Sequence, residues 1–285
     1  MAGARPRTLP AAVVPVAVGT SAAIQDGHIV GWRAVCALIV SLALQVGVNY
    51  ANDYSDGVRG TDAQRVGPLR LVGSGAVAPR QVKAAAFASF GVAAVAGLLL
   101  AATTTWWLIA VGLAAIAAAW TYTGGPKPYG YAGFGEVFVF LFFGVVATVG
   151  SEFVHQQHLR WLTLWLSVSV GSLATALLVV NNLRDIPGDT IAGKNTLAVR
   201  IGDQATRRLY VTCLAVAFVV VLVVAVVWSL WPLLAIAAIV PVAVPPARVV
   251  SGGASGRSLI AVLSGTARLQ LVFGAMLTVA LLLSS

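Results

Sequence analysis

Nine apolar stretches, each about as long as a bilayer is thick, constrain the fold of this chain more than any other feature. A helix needs about 20 mostly apolar residues to cross the hydrocarbon core of a membrane. The stretches lie at residues 8–25, 32–52, 83–102, 105–123, 134–153, 161–182, 209–228, 230–249 and 266–284. Only 9% of the residues are charged, against about a quarter in soluble domains. We therefore predict an all-α integral membrane protein with nine transmembrane helices, forming a single domain over residues 1–285.

Basic residues are divided unequally between the two sides of the predicted bundle. Nine spans put alternate connections on opposite sides, and 16 of the 18 Lys and Arg residues then fall on one side, leaving Arg33 and Arg160 on the other. Cytoplasmic loops carry such an excess of basic residues. The sequence thus predicts a multi-pass cell-membrane protein with a cytoplasmic amino terminus, cytoplasmic long loops and an outer carboxyl terminus. This topology explains the net charge of +9, so nucleic acid is not an expected partner.

Acidic residues are concentrated in two loops on the predicted cytoplasmic side. Six of the nine Asp and Glu residues lie after spans 2 and 6. The pattern Asn52-x-x-x-Asp56 in the first loop recurs as Asn181-x-x-x-Asp185 in the second. Residues four apart share one face of a helix, so each pair is expected to point in one direction. The two Asp-rich loops cover residues 52–82 and 181–208.

Two further carboxylates lie close to these pairs. Asp53 comes three residues before Asp56, which puts both on one helix face. Asp189 follows Asp185 by four residues, but Pro187 and Gly188 between them disfavour a regular helix. We therefore expect a turn to present Asp189.

Carboxylates and cations alternate in these loops, as a metal–diphosphate site requires. Mg²⁺ prefers oxygen ligands and usually joins a few carboxylates to substrate phosphates. We predict that one or two Mg²⁺ ions are held by Asp53, Asp56, Asp185 and Asp189. The cations expected around a diphosphate are Arg59, Arg65, Arg70, Lys127, Arg184 and Lys194. The alternative is that the aspartates cap helices and pair with nearby arginines in water.

Five segments of the chain resemble the UbiA superfamily of intramembrane prenyltransferases, and within it the menaquinone branch. They are RPRTLP at 5–10, NDYSDGVRGTD at 52–62, GPLRLVGSG at 67–75, YTGGPKPYGYAGFGE at 122–136 and NNLRDIPGDTIAGKNTLAVRIG at 181–202. The resemblance implies a bundle with a central cavity open to the cytoplasm. It also implies Mg²⁺-dependent transfer of a polyprenyl chain from polyprenyl diphosphate to 1,4-dihydroxy-2-naphthoate. Carbon dioxide and pyrophosphate would be lost, and demethylmenaquinol would form in menaquinone biosynthesis.

The same resemblance implies roles for residues near the motifs. Gly60 stands where the superfamily pattern has its last acid, and the acid comes two residues later, a shift that the menaquinone branch shares. Roles in ligating the metal or binding substrate are expected for Asn52, Asp62, Asn181 and Asn182. Tyr122 would stabilise the allylic cation with its ring face, and Lys127 would add positive charge near the leaving group. Arg5 either contacts a substrate or is one of the basic residues that set the orientation in the membrane. Glu136 either positions the acceptor or caps a helix.

Other functions share parts of this pattern. An anionic-lipid transporter could use the same basic loops, but transporters place their sites near the bilayer midplane and these charges lie at one face. A phosphatidyl-alcohol transferase would carry its acids in one block, whereas the two clusters here are 129 residues apart, from Asn52 to Asn181. A prenyltransferase acting on another aromatic acceptor, such as 4-hydroxybenzoate, is the closest competitor.

Overall fold

The part of the chain described by the computed structural model, residues 3, 5–61 and 70–285, folds into nine long helices and two short 3-10 turns, Pro6–Thr8 and Gly130–Ala132, without a strand. The helices are α1 Pro10–Gln25, α2 Gly31–Val58, α3 Pro79–Thr103, α4 Trp107–Thr121, α5 Gly135–Gln156, α6 Trp161–Ile191, α7 Leu197–Val227, α8 Trp231–Ser251 and α9 Ser258–Leu282. Each apolar stretch of the sequence corresponds to one helix, so the prediction of nine helices is confirmed over the described residues.

The lengths of the helices suit a membrane. Within the described residues, eight of them are long and apolar enough to span a bilayer. The exception is α4, whose 15 residues reach only about 22 Å at the helical rise of about 1.5 Å per residue. Gly124, Gly125 and Pro126 follow it and do not favour helix. The protein is therefore a multi-pass membrane protein with one short helix.

Helices α2 and α6 extend beyond their apolar stretches into the Asp-rich segments. The first continues to Val58 and the second to Ile191. The expected turn before Asp189 is wrong, because α6 stays helical through Pro187. Proline costs a helix interior about 3 kcal/mol in water, but neighbouring groups re-satisfy the freed carbonyl in transmembrane helices.

Small residues allow α5 and α6 to approach each other closely. A Cβ atom on Gly144 would lie 2.4 Å from the Cα atom of Gly171. This contact lies in a π-helical stretch of α5, Phe140–Val146, and such stretches are frequent at functional sites. Close packing of small residues holds helices together in lipid, where no hydrophobic force acts between them. The contact fixes the register of α5 against α6.

The apolar core and the main cavity use different faces of α6. The core packs α6 against α1, α7, α8 and α9 around large buried side chains such as Leu173, Tyr210 and Phe273. The cavity, with a volume of about 950 Å³, is lined mostly by α1 to α6. Polar residues line one end, and apolar residues such as Leu100 and Val154 line the rest.

Candidate active site

The polar end of the cavity brings the two Asp-rich segments together. The side chains lining it include Asn52, Asp56, Arg70, Asn181, Asn182, Arg184, Asp185, Asp189 and Lys194. Lys194 Nζ donates a hydrogen bond to Asp56 Oδ1 over 3.1 Å. These two residues are 138 positions apart in the chain, so the two segments meet directly at one site.

Asp56 has contacts with three polar side chains of other segments. It is buried, and besides Lys194 it receives a hydrogen bond from the Tyr131 hydroxyl and has the Arg70 guanidinium 3.6 Å away. Lys194 Nζ also lies 4.7 Å from the centroid of the Tyr131 ring. Burial, and next the charge of Asp56, raises the pKa of Tyr131 well above its usual value, so this phenol remains a donor at neutral pH.

The segment between α4 and α5 is attached to both motifs. Thr123 Oγ1 donates to Asn52 Oδ1 over 2.8 Å, and Asn195 N donates to the Tyr131 carbonyl over 3.0 Å. Arg59 donates to the carbonyl of Thr123 and lies over the Tyr131 ring. These contacts make the segment a bridge across the polar end of the cavity.

One guanidinium organises the second motif. Arg184 Nε and Nη2 donate to the two oxygens of Asp185, each over 2.7 Å, and Nη2 also donates to Asn181 Oδ1 over 2.9 Å. Both charged side chains are buried. The neighbouring Asn182 donates to Glu136 Oε1 over 2.9 Å, which ties α6 to the start of α5. Asp185 and Asn181 are thus held in fixed orientations at the cavity.

Aromatic rings line the cavity beside this polar end. Tyr122 and Tyr129 have ring centroids 5.5 Å apart, and Tyr129 stacks on Phe138 at 4.0 Å. Phe138 in turn lies 6.0 Å from Phe142, and all four residues line the cavity. Burial raises the pKa of Tyr129 well above its usual value, so its ring stays neutral. An electron-rich wall therefore begins where the polar end stops.

Several predicted site residues are placed differently. Asp53 is not among the residues lining the cavity, since both of its oxygens accept backbone N–H groups. Lys127 is exposed, and Glu136 lies behind Asn182. Arg5 lines the cavity. Asp62 and Arg65 lie outside the described residues.

Two contributors were not recognised from the sequence. Neither Thr123 nor Tyr131 is singled out by the sequence pattern. Both belong to the Gly- and Pro-rich segment YTGGPKPYGYAGFGE, which has no periodicity from which a partner could be inferred. The only usable signal was the position of this segment directly after an apolar span.

A family model described as the UbiA prenyltransferase family matches residues 12–258. The chain belongs to this family. The resemblance seen in the five sequence segments is thereby confirmed, and the protein is a prenyltransferase by family membership.

Several relatives within the UbiA family share one name. The chain is 52% identical over 273 residues to the 1,4-dihydroxy-2-naphthoate octaprenyltransferase of Mycobacterium tuberculosis, covering 96% of this chain and 93% of the relative. It is 40% identical over 226 residues to the protein of the same name from Escherichia coli, covering 76% and 73%.

Solved structures of UbiA homologues show the same fold. The chain matches a homologue from Archaeoglobus fulgidus, bound to DMAPP and Mg²⁺, with a TM-score of 0.69 at 17% identity. That match covers 99% of this chain and 98% of the homologue. A homologue from Aeropyrum pernix in its apo form matches with a TM-score of 0.65 at 16% identity.

Proposed function

We propose that this protein transfers a polyprenyl chain from polyprenyl diphosphate to 1,4-dihydroxy-2-naphthoate, with loss of carbon dioxide and pyrophosphate. The observation that carries the proposal is the contact between Lys194 and Asp56, which joins the two Asp-rich segments at the polar end of a long apolar cavity. A polyprenyl diphosphate has a charged diphosphate and a long apolar chain, and such a cavity can hold both. The names of relatives that are 40–52% identical support the choice of naphthoate as acceptor.

The residues at the polar end fit Mg²⁺. Their donor atoms are carboxylate and amide oxygens, and within the described residues no three His, Cys, Asp or Glu side chains form a complete metal cage. Mg²⁺ suits such a site, since it keeps several waters and is usually held by one or two carboxylates plus substrate phosphates. Asp56, Asp185 and Asp189 would hold it, with Asn52 and Asn181 beside them. When bound, the ion would neutralise the leaving diphosphate.

Side chains of the protein supply the remaining functions. Arg70, Arg184 and Lys194 place positive charge where the allylic carbon–oxygen bond breaks and its electron pair leaves with the diphosphate. The ring faces of Tyr122 and Tyr129 stabilise the allylic cation. The naphthoate ring then gives an electron pair to the allylic carbon, and loss of carbon dioxide returns a pair to the ring. Apolar walls hold the prenyl chain and exclude water.

The placement of the protein in the cell membrane follows the distribution of its charges. We place the amino terminus, the Asp-rich segments and the open end of the cavity on the cytoplasmic side, and the carboxyl terminus outside. The excess of basic residues supports this orientation. Within the described residues, Arg33 donates to the carbonyls of Val154 and Thr103, near the ends of α5 and α3 away from the motifs. All 285 residues are proposed to form one domain.

An assay with membranes containing the protein tests the proposal. Radiolabelled polyprenyl diphosphate, 1,4-dihydroxy-2-naphthoate and Mg²⁺ should give a lipid quinol, and a chelator should stop its formation. Asp56→Ala and Asp185→Ala should abolish product, whereas the matched control Asp203→Ala, an exposed carboxylate paired with Arg207, should not. Faster turnover with 4-hydroxybenzoate would contradict the assignment of 1,4-dihydroxy-2-naphthoate as the acceptor. Full turnover by Asp56→Ala would contradict the assignment of the active site.

A further inference from the structure

The end of α2 presents two faces to different partners. Asn52 and Asp56, four residues apart, line the cavity. Asp53 and Gly57 are also four residues apart, and they contact the backbone of segment 70–73 instead. The spacing of four on each face follows from the helix itself. One motif therefore carries two separate sets of contacts.

The carboxylate of Asp53 is fully engaged by backbone groups. Leu71 N donates to Asp53 Oδ2 and Val72 N donates to Oδ1, each over 3.0 Å. Asp53 is 1% exposed, and hydrogen bonds to an ionised acceptor are about twice as strong as neutral ones. Asp185 also accepts hydrogen bonds at both oxygens but lines the cavity, whereas Asp53 is not among the lining residues. A metal ion bound by both oxygens of Asp53 would displace backbone N–H groups, and these are costly to leave unpaired when buried.

Gly57 provides the space that this arrangement needs. A Cβ atom at Gly57 would lie 2.4 Å from Val72 Cγ1 and 3.1 Å from the backbone nitrogen of Gly73. The helix surface is bare at this point, so segment 70–73 lies directly on α2. Asp53 holds the segment by hydrogen bonds, and Gly57 allows it to come close enough.

The position of segment 70–73 on Asp53 and Gly57 of α2, the seat of this segment, determines where Arg70 lies. Arg70 directly precedes the two residues bound by Asp53, is buried, and places its guanidinium 3.6 Å from Asp56 Oδ2 at the cavity. We infer that Asp53 is a positioning residue, and that with Gly57 it seats segment 70–73 on α2 so that Arg70 meets the diphosphate. Asp53 then acts through Arg70 and does not ligate the metal. The inference rests on the proposed function only for the identity of the anion.

Hydrogen exchange of the purified protein in detergent tests the seat without any substrate. Asp53→Asn keeps the size of the side chain but leaves one acceptor oxygen, and Gly57→Ala pushes the segment away without removing a carboxylate. Both variants should speed exchange of the amides in residues 70–77. The matched control is Gly91→Ala, where a Cβ atom meets nothing within 4 Å, and it should leave exchange unchanged. Unchanged exchange in Asp53→Asn would contradict the inference that Asp53 holds segment 70–73 on α2.

Kinetics separate positioning from metal binding. In both variants kcat/KM for polyprenyl diphosphate should fall by about ten- to a hundredfold, as expected for a lost hydrogen bond to a charged group. The Mg²⁺ concentration for half-maximal rate should change by less than about twofold, since no ligand is lost. The double variant Asp53→Asn/Arg70→Gln should have nearly the same kcat/KM as Arg70→Gln alone, because both changes remove the same contribution.

Two outcomes would overturn the inference on kinetic grounds. An Asp53→Asn enzyme needing about tenfold more Mg²⁺, with unchanged exchange, would make Asp53 a metal ligand. Additive losses with Arg70→Gln would show that Asp53 acts independently. If the unchanged protein forms no prenylated product, the proposed function fails, and hydrogen exchange still decides whether Asp53 seats the segment.

Discussion

Replacing Arg184 by lysine should disable the second Asp-rich motif while keeping its charge. Arg184 makes three hydrogen bonds, two to Asp185 at 2.7 Å and one to Asn181 at 2.9 Å. Lysine lacks the planar fork that makes the paired contact with a carboxylate, so we expect it to keep one of the three. Each bond to a charged group contributes about 1.5–3 kcal/mol, so two lost bonds amount to about 3 kcal/mol or more. In kcat/KM this is a loss of roughly 150-fold or more.

The assay compares Arg184→Lys with Arg207→Lys in the same membranes. Arg207 forms the same kind of paired contact with Asp203, at 2.5 and 2.7 Å, but the Asp203 side chain is 58% exposed. Exposed pairs contribute at most about 1 kcal/mol, and Arg207 is not among the residues lining the cavity. Arg207→Lys should therefore retain nearly full activity. Equal activities of the two variants would refute the assignment of Arg184 as the organiser of the motif.

Three further predictions concern packing, the phenol and orientation. Gly144→Ala should lower stability in detergent by about 1–3 kcal/mol through overpacking against α6, measured by thermal unfolding, whereas Gly91→Ala should not. Tyr131→Phe should lower kcat/KM about tenfold by removing the donor to Asp56. Because the raised pKa keeps Tyr131 protonated, this contribution should stay constant between about pH 6 and pH 9 and be lost only above that range. In a cysteine-free background, a cysteine at His158 should react with an impermeant thiol reagent outside intact cells, and one at Arg257 only after permeabilisation; the reverse pattern would contradict the proposed orientation.

The number of helices could be predicted because the requirement for apolar residues in lipid is strong. The ends of the helices could not be predicted, because hydropathy does not show whether a helix continues into a polar segment. The helix α6 continues from its apolar stretch to Ile191, and the sequence indicated a break at Pro187 instead. That rule comes from helices in water, where no neighbouring segment compensates the lost hydrogen bond.

The site was predictable as a set of motifs but not as a set of contacts. Spacing indicated that Asn52 and Asp56 would share a face, and the cavity contains both. The same spacing rule put Asp53 on the face of Asp56, and this was wrong, because Asp53 binds the backbone amides of Leu71 and Val72 and is not among the residues lining the cavity. Backbone donors leave no trace in the sequence. Tyr131 was overlooked as a contact of Asp56 for a related reason, since it lies in a segment without periodicity.

The most direct test of the account is Mn²⁺ binding measured by electron paramagnetic resonance, with Mn²⁺ replacing Mg²⁺ and a non-reactive polyprenyl diphosphate analogue present. The account predicts bound Mn²⁺ with a phosphorus hyperfine coupling, lost in Asp56→Ala and equally lost in Asp185→Ala, because the two segments form one site. Asp203→Ala should bind as the unchanged protein does. Mn²⁺ that stays bound next to the diphosphate in both cavity variants would contradict the claim that the two motifs converge on one metal.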